Sequence, residues 1–183
     1  MHCPSEIHMR VAKRILRYIK GTCSFGVKFL KCQELRLHGF SDSDWGGFID
    51  DMKSTSGFYF NLGLVIFSWS SKKQDIVAQS TVEAEFIAAT TAVNQALWLQ
   101  KLLRDLHMEE EEATKISVDN QAAIAISHNP VFHGKTKHFN IKLYFLREVQ
   151  KNGDVKLIYC KSEDQLADLF TKPFPINRFE FLR

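Results

Sequence analysis

The chain predicts an α/β fold, and three features carry that expectation. Short strand-like runs alternate with helical periodicity along the sequence. Two of those runs stop at acidic residues, in S-D-S-D and in D-N-Q. Between them lies a long segment without Gly or Pro, rich in Ala and Leu, which favours helix.

A helix is expected from about 5 to 20, then a strand near 25 to 30. Strands follow near 36 to 42, 55 to 62 and 64 to 70, the last two forming a hairpin through Asn61, Leu62 and Gly63. The long helix covers 80 to 106, with Ser80 as its N-cap and Glu83 completing a capping box. The acidic run 109 to 112 reads as a solvated loop. A strand near 115 to 119 and a helix from 120 to 127 lead into a loop holding His128, His133 and His138. A helix from about 139 to 151 ends at Asn152 and Gly153, residues suited to a C-terminal cap. A strand near 154 to 160 precedes a short helix from 163 to 172, with Ser162 and Gln165 as a second capping box and Pro173 as its stop. The tail from 174 to 183 has room for one more turn.

Four carboxylates stand at informative points of this frame. Glu85 shares a stripe with Ala88, Ala89, Ala92, Ala96, Leu99 and Leu103, the spacing of a core-facing helix side. A carboxylate on such a stripe needs a partner, and a metal ion is one alternative to reaching solvent at the rim. Glu83 lies roughly 200° around the helix from Glu85, so the two acids do not share a face. Asp42 and Asp119 end two strands, where α/β sheets gather ligands; a turn acid at Asp42 or Asp44 and an N-cap at Asp119 or Asn120 are the plainer readings. Asp168 falls within the last short helix, either solvated or turned to the same site.

Composition bounds the rest. At 183 residues with 45% hydrophobic and 12% aromatic content, the chain can bury one sizeable core. Cys3, Cys23, Cys32 and Cys160 show no paired spacing and read as reduced thiols. No apolar run reaches the length of a membrane span and no signal sequence opens the chain, so a place inside the cell, cytoplasmic or nuclear, is expected. Net charge is only +3, yet the first 32 residues hold seven Lys or Arg against one Glu. That basic helix either lies along a phosphate backbone or docks through Val11, Ile15, Leu16 and Ile19. The three histidines are spaced by five, which fits neither i, i+4 ligation nor a Cys-containing zinc pattern.

The strings F-S-D-S-D-W-G-G, K-S-T-S-G, F-S-W-S-S-K-K-Q, S-T-V-E-A-E-F, D-N-Q-A-A-I-A, H-N-P-V-F-H-G-K-T-K-H and E-D-Q-L-A-D-L-F-T-K run in that order across residues 40 to 172. Together they resemble the ribonuclease H domain of copia-type retrotransposon Pol polyproteins. Residues 1 to 32 resemble the end of the reverse-transcriptase connection, which leaves 33 to 173 as the ribonuclease H-like domain and 174 to 183 as a tail. The resemblance implies a five-stranded mixed sheet flanked by helices, with Asp42, Glu85, Asp119 and Asp168 as both catalytic and metal-binding carboxylates and Asp44 competing for the first position. It implies cleavage of the RNA strand of an RNA–DNA hybrid during reverse transcription, with the reverse-transcriptase portion of the parent polyprotein as a partner. Gln121 matches a position that senses the 2′-hydroxyl in cellular ribonucleases H. Ser80 and Thr81 either contact the same groove from the helix start or serve as a cap and an ordinary polar surface residue, and the histidine loop with Lys135 and Lys137 beside it either touches nucleic acid or is simply solvated. One departure is plain: cellular ribonucleases H usually carry a histidine before the last metal acid, where this chain reads C-K-S-E-D-Q.

The residue types suit that chemistry. Four acids brought together repel one another, so the cluster makes sense with cations between them. Hard oxygen ligands with open water positions suit two Mg²⁺ ions, with Mn²⁺ as a substitute. A nuclease of related fold, such as an integrase or resolvase, needs another order of acids. A silent nucleic-acid-binding module from a decayed element is the alternative outside catalysis. The uneven charge has a measurable consequence: removing residues 1 to 22 should weaken hybrid binding and flatten its dependence on salt. Equal salt slopes for both chains would make the helix a docking element instead.

Overall fold

The structure is a computed structural model, and it describes residues 3–29, 35–108, 112–128 and 137–182. Contacts divide the chain into two units, Met1–Lys31 and Cys32–Arg183. In the first, helix α1 spans Glu6–Gly21 behind Ser5, whose N–H donates to His8 Nδ1 at 3.0 Å while its hydroxyl accepts from the His8 N–H. Val11, Ile15, Leu16 and Ile19 form an exposed stripe on it. The strand expected near 25 to 30 is not formed over 25–29, and residue 30 lies outside the described residues. Alternation at Phe25, Val27 and Phe29 marks an apolar side, but a strand also needs a neighbour for its backbone groups.

The second unit is built on strands β1 (Leu37–Asp44), β2 (Thr55–Leu62), β3 (Val65–Lys73), β4 (Thr114–Val118) and β5 (Val155–Tyr159), in the order β3-β2-β1-β4-β5. β1, β2 and β3 form an antiparallel meander, whereas β4 and β5 join parallel to β1. Parallel neighbours need crossovers, and helices supply them. Helix α2 (Thr81–Asp105) leads to β4, and α3 (Gln121–His128) and α4 (Lys137–Asn152) lead to β5. This is the five-stranded mixed sheet that the resemblance implied. The hairpin turn falls one residue later than expected: Leu62 pairs with Val65, and Gly63 enters the turn at φ +62°.

The alanines of α2 let the helix lie close on the sheet. Ala89, Ala92, Ala96, Leu99 and Leu103 join Phe60, Ile116 and Val118 from the strands and Leu143 and Leu146 from α4 in one core. The opposite sheet side carries a chain of rings, with His38 stacked on Phe40, Phe40 edge-on to Tyr59, and Tyr59 beside Phe170. Of the acidic run, residues 109–111 lie outside the described residues, and Glu112 pairs with Arg36 at 3.0 Å.

The helix expected from 163 to 172 is replaced by two 3-10 turns, Ser162–Asp164 and Leu166–Phe170. Gln165 interrupts it. Its fully buried side chain donates to the Ser41 carbonyl at 3.0 Å and accepts from the Ala167 N–H at 3.2 Å. Tied to β1 in this way, the chain cannot continue an α-helical turn, and the expected capping box of Ser162 with Gln165 does not form. The tail forms α5, Ile176–Leu182, anchored through Arg178 to the carbonyls of Ser162 and Glu163.

Close approach of the second 3-10 turn to β2 requires Gly57. A Cβ there would stand 2.7 Å from Thr171 Cγ2 and 3.1 Å from the Ala167 carbonyl oxygen. Gly57→Ala should therefore destabilise the fold by about 1–3 kcal/mol, as overpacking does. Urea unfolding checks this, and an unchanged midpoint would show that the turn yields freely.

Candidate metal centre

Topology brings the acids together. β1 and β4 run parallel with Ser41 level with Val118, so Asp42 and Asp119 each follow a paired position at the same end of the sheet. Asp42 is fully buried. Asp119 stays free of helix capping because Asn120 takes that task, its Oδ1 accepting from the Ala123 N–H at 3.0 Å. Glu85 enters from the first turns of α2. One oxygen from each of Asp42, Glu85 and Asp119 lies within 4.8 Å of the others, a spacing that can hold a metal ion.

Glu85 is the most informative of the three. Its Oε1 accepts from the Ser43 N–H at 3.2 Å, while its Oε2 is buried and has no hydrogen-bond partner among the described residues. Buried carboxylate oxygens are normally satisfied, so a partnerless one on a member of a three-acid cluster fits a divalent cation of hard, oxygen-seeking character. Burial first, then the charges of Asp42 and Asp119, push the Glu85 carboxyl up to about 10. Ionising it becomes easy only with a positive charge beside it.

Asp168 sits on the second 3-10 turn and belongs to a different edge. Lys172 Nζ lies 2.8 Å from Asp168 Oδ1 and 3.2 Å from Asp42 Oδ1, bridging the two. Thr171 Oγ1 donates to Asp42 Oδ2. Burial pushes the Asp168 carboxyl up to about 6, with Lys172 opposing the rise and Asp42 adding to it. For Lys172, burial acts to lower its pKa, but the hydrogen bond to Asp168 and the charges of both acids outweigh it and raise the value.

Asp44, the alternative first ligand, is engaged elsewhere. Its carboxylate accepts from the Thr55 N–H, and Gly47 approaches it so closely that no Cβ fits between. Asp44 thus shapes the loop after β1.

Several neighbours were not foreseen from the sequence. Ser162 Oγ donates to Asp119 Oδ2 at 2.8 Å, so the expected capping residue orients an acid instead. Buried Gln74 ties three elements together, its Nε2 reaching Ser43 Oγ, Ser56 Oγ and the Ala84 carbonyl at 3.2, 2.8 and 3.0 Å. A signal existed only for Lys172, which stands four residues after Asp168, the spacing of a helical ion pair.

Ser80 caps α2 through the Glu83 N–H at 3.2 Å, while the Glu83 carboxylate accepts from the Gln79 N–H at 3.0 Å, one residue before the cap. Thr81 and Gln121 are exposed at the starts of α2 and α3, and His128 is exposed at the end of α3. Lys135 and His133 lie outside the described residues, as do the side chains of Lys137 and His138.

Comparison with known proteins gives two kinds of likeness. The chain is 39% identical over 180 residues to the retrovirus-related Pol polyprotein from transposon RE1 of Arabidopsis thaliana, covering 98% of this chain and 12% of that protein. It is 35% identical over 180 residues to the retrovirus-related Pol polyprotein from transposon TNT 1-94 of Nicotiana tabacum, covering 98% and 13%. The chain therefore spans about an eighth of the length of these relatives. In fold it is similar to LC11-RNase H1 in complex with RNA/DNA hybrid, with a TM-score of 0.52 and 13% identity over 74% of this chain and 94% of that one. No family model matches the chain.

Both raised carboxyls favour the protonated, metal-free fold at acid pH. Asp168 loses that contribution between its ordinary 3.8 and about 6, and Glu85 between 4.5 and about 10. In EDTA the melting temperature should fall between about pH 5 and about pH 8, and Glu85→Gln should flatten the fall. Glu83→Gln should change stability by well under about 1 kcal/mol, because Gln serves equally near a cap. Melting scans of the three proteins at both pH values test this; a slope that Glu85→Gln leaves intact would count against the burial of its charge.

Proposed function

Because the chain belongs to the Pol polyprotein family of copia-type transposons, we propose that it is a ribonuclease H-type endonuclease cutting the RNA strand of RNA–DNA hybrids. The convergence of Asp42, Glu85 and Asp119 within 4.8 Å carries this reading, and one buried Glu85 oxygen has no hydrogen-bond partner among the described residues. Asp42, Glu85, Asp119 and Asp168 would hold Mg²⁺, or Mn²⁺ in its place, as two ions. Bound there, the metal supplies activation of the attacking water and stabilisation of the departing 3′ oxygen.

The chain's own residues prepare that site. The Ser43 N–H and the Ser162 hydroxyl each hold one oxygen, of Glu85 and of Asp119 respectively, which restrains both carboxylates before any ligand arrives. Gln74 and Gln165 hold the ends of β1, α2 and the second 3-10 turn in register. Thr81 and Gln121, exposed at helix starts beside the acids, present hydrogen-bonding groups toward a minor groove, where an RNA strand is distinguished by its 2′-hydroxyls. Ser80 supports that surface through its cap, and Lys135 and Lys137 would add phosphate contacts.

The proposed setting is reverse transcription inside the cell, in the element's particle, beside the reverse-transcriptase portion of the polyprotein. No helix among the described residues is long and apolar enough to cross a membrane. A labelled hybrid incubated with Mg²⁺ should yield 5′-phosphate and 3′-hydroxyl ends, while duplex DNA survives. EDTA should abolish cutting, and Asp119→Asn, which keeps shape and loses charge, should reduce it by at least about 100-fold. Hybrid binding without cutting above that variant in Mg²⁺ or Mn²⁺ would leave a silent binding module.

A further inference from the structure

We propose that Lys172 is a built-in counter-cation that a divalent ion must displace from the Asp42–Asp168 edge, making the second ion of the site bind much more weakly than the first. The inference rests on the metal-site reading above. The two edges of the acid cluster differ in kind. Among the described residues no ammonium is hydrogen-bonded to Glu85 or Asp119, the charge of Lys172 is felt at Glu85 only from a distance, and Glu85 Oε2 has no partner. Between Asp42 and Asp168, Lys172 Nζ touches one oxygen of each acid at 3.2 and 2.8 Å.

Those are the oxygens a second cation needs. Asp42 Oδ2, the alternative, already accepts from Thr171 Oγ1. An ammonium donates along the same lone pairs that a hard dication binds, and two positive charges on one shared oxygen repel, so the occupants exclude each other. The anions are fixed and the cation is not. The Asp42 and Asp168 side chains are 0% and 7% exposed, whereas that of Lys172 is 38% exposed and has a path to water. Its backbone N–H stays bound to the Asp168 carbonyl at 3.0 Å, so only the side chain needs to swing. The lysine thus steadies two buried acids when divalent ions are scarce and delays assembly of the full site until they are plentiful.

Mn²⁺ titration of the full chain without nucleic acid, followed by calorimetry and electron paramagnetic resonance, tests the exchange. Wild type should take up one ion tightly and a second at least about tenfold more weakly. Lys172→Met should tighten the second step by about tenfold or more and the first by clearly less, because Lys172 holds both acids of the second edge but only Asp42 of the first. Lys172→Gln, which keeps a donor and most of the stem, guards against a folding failure and should show the same gain. In wild type, the ¹⁵N signal of the bound ammonium should persist through the first equivalent of Mg²⁺ and vanish with the second. A second step equally weak in both variants would overturn the role of Lys172 while leaving the metal site intact. Absence of any ion bound to wild type, or uptake indifferent to Asp119→Asn, would overturn the metal-site reading and this inference with it.

Discussion

Mutual repulsion among carboxylates that the sheet forces into one place is the constraint around which this domain is arranged. β1 and β4 lie side by side and point the same way, so acids at their ends meet whatever the side chains prefer. Burial sharpens the conflict, since charges in a poorly solvated place interact more strongly than in water. The neighbours answer it one acid at a time. A backbone N–H serves Glu85, a serine hydroxyl serves Asp119, and a threonine and a lysine serve Asp42 and Asp168. One Glu85 oxygen receives no hydrogen bond from the described residues, which is the part of the conflict that their side chains do not resolve.

The backbone pays for this arrangement in regular structure. A helix at the C-terminal end of the domain would satisfy its own carbonyls, but Gln165 spends its amide on the Ser41 carbonyl and leaves two short 3-10 turns in its place. That tie carries Asp168 to within reach of Asp42 through Lys172. Room for it comes from Gly57, which is paired with Asp42 across the β1–β2 ladder and presents no side chain to the incoming turn. Stability is given up where the site is assembled and recovered in the alanine-lined contact of α2 with the sheet.

Three lines of observation bear on the chain at different levels. Likeness to solved structures at 13% identity speaks for the fold alone. Identity of 35% to 39% with transposon Pol polyproteins speaks for descent. The geometry of the acids speaks for chemistry, and it does so without either of the others.

The sequence by itself determined the alternation of strands and helices, the cap at Ser80, the core-facing stripe of α2 and the candidate acids Asp42, Glu85, Asp119 and Asp168. Those features are local: periodicity, propensity and capping act over a few residues and leave their mark in a string of letters. Sequence reading failed at the Ser162–Gln165 capping box: Ser162 turns to Asp119 and the Gln165 amide to Ser41, partners more than 40 positions away in the chain, and Gln165 caps the second 3-10 turn instead. It failed likewise over 25–29, where alternation found no ladder. Only the tertiary structure decided that Asp42 rather than Asp44 faces Glu85, that Asn120 and not Asp119 caps α3, and that Lys172 bridges two acids. Each of those outcomes depends on which strands lie side by side and how closely a turn approaches, and long-range pairing of that kind has no local signature.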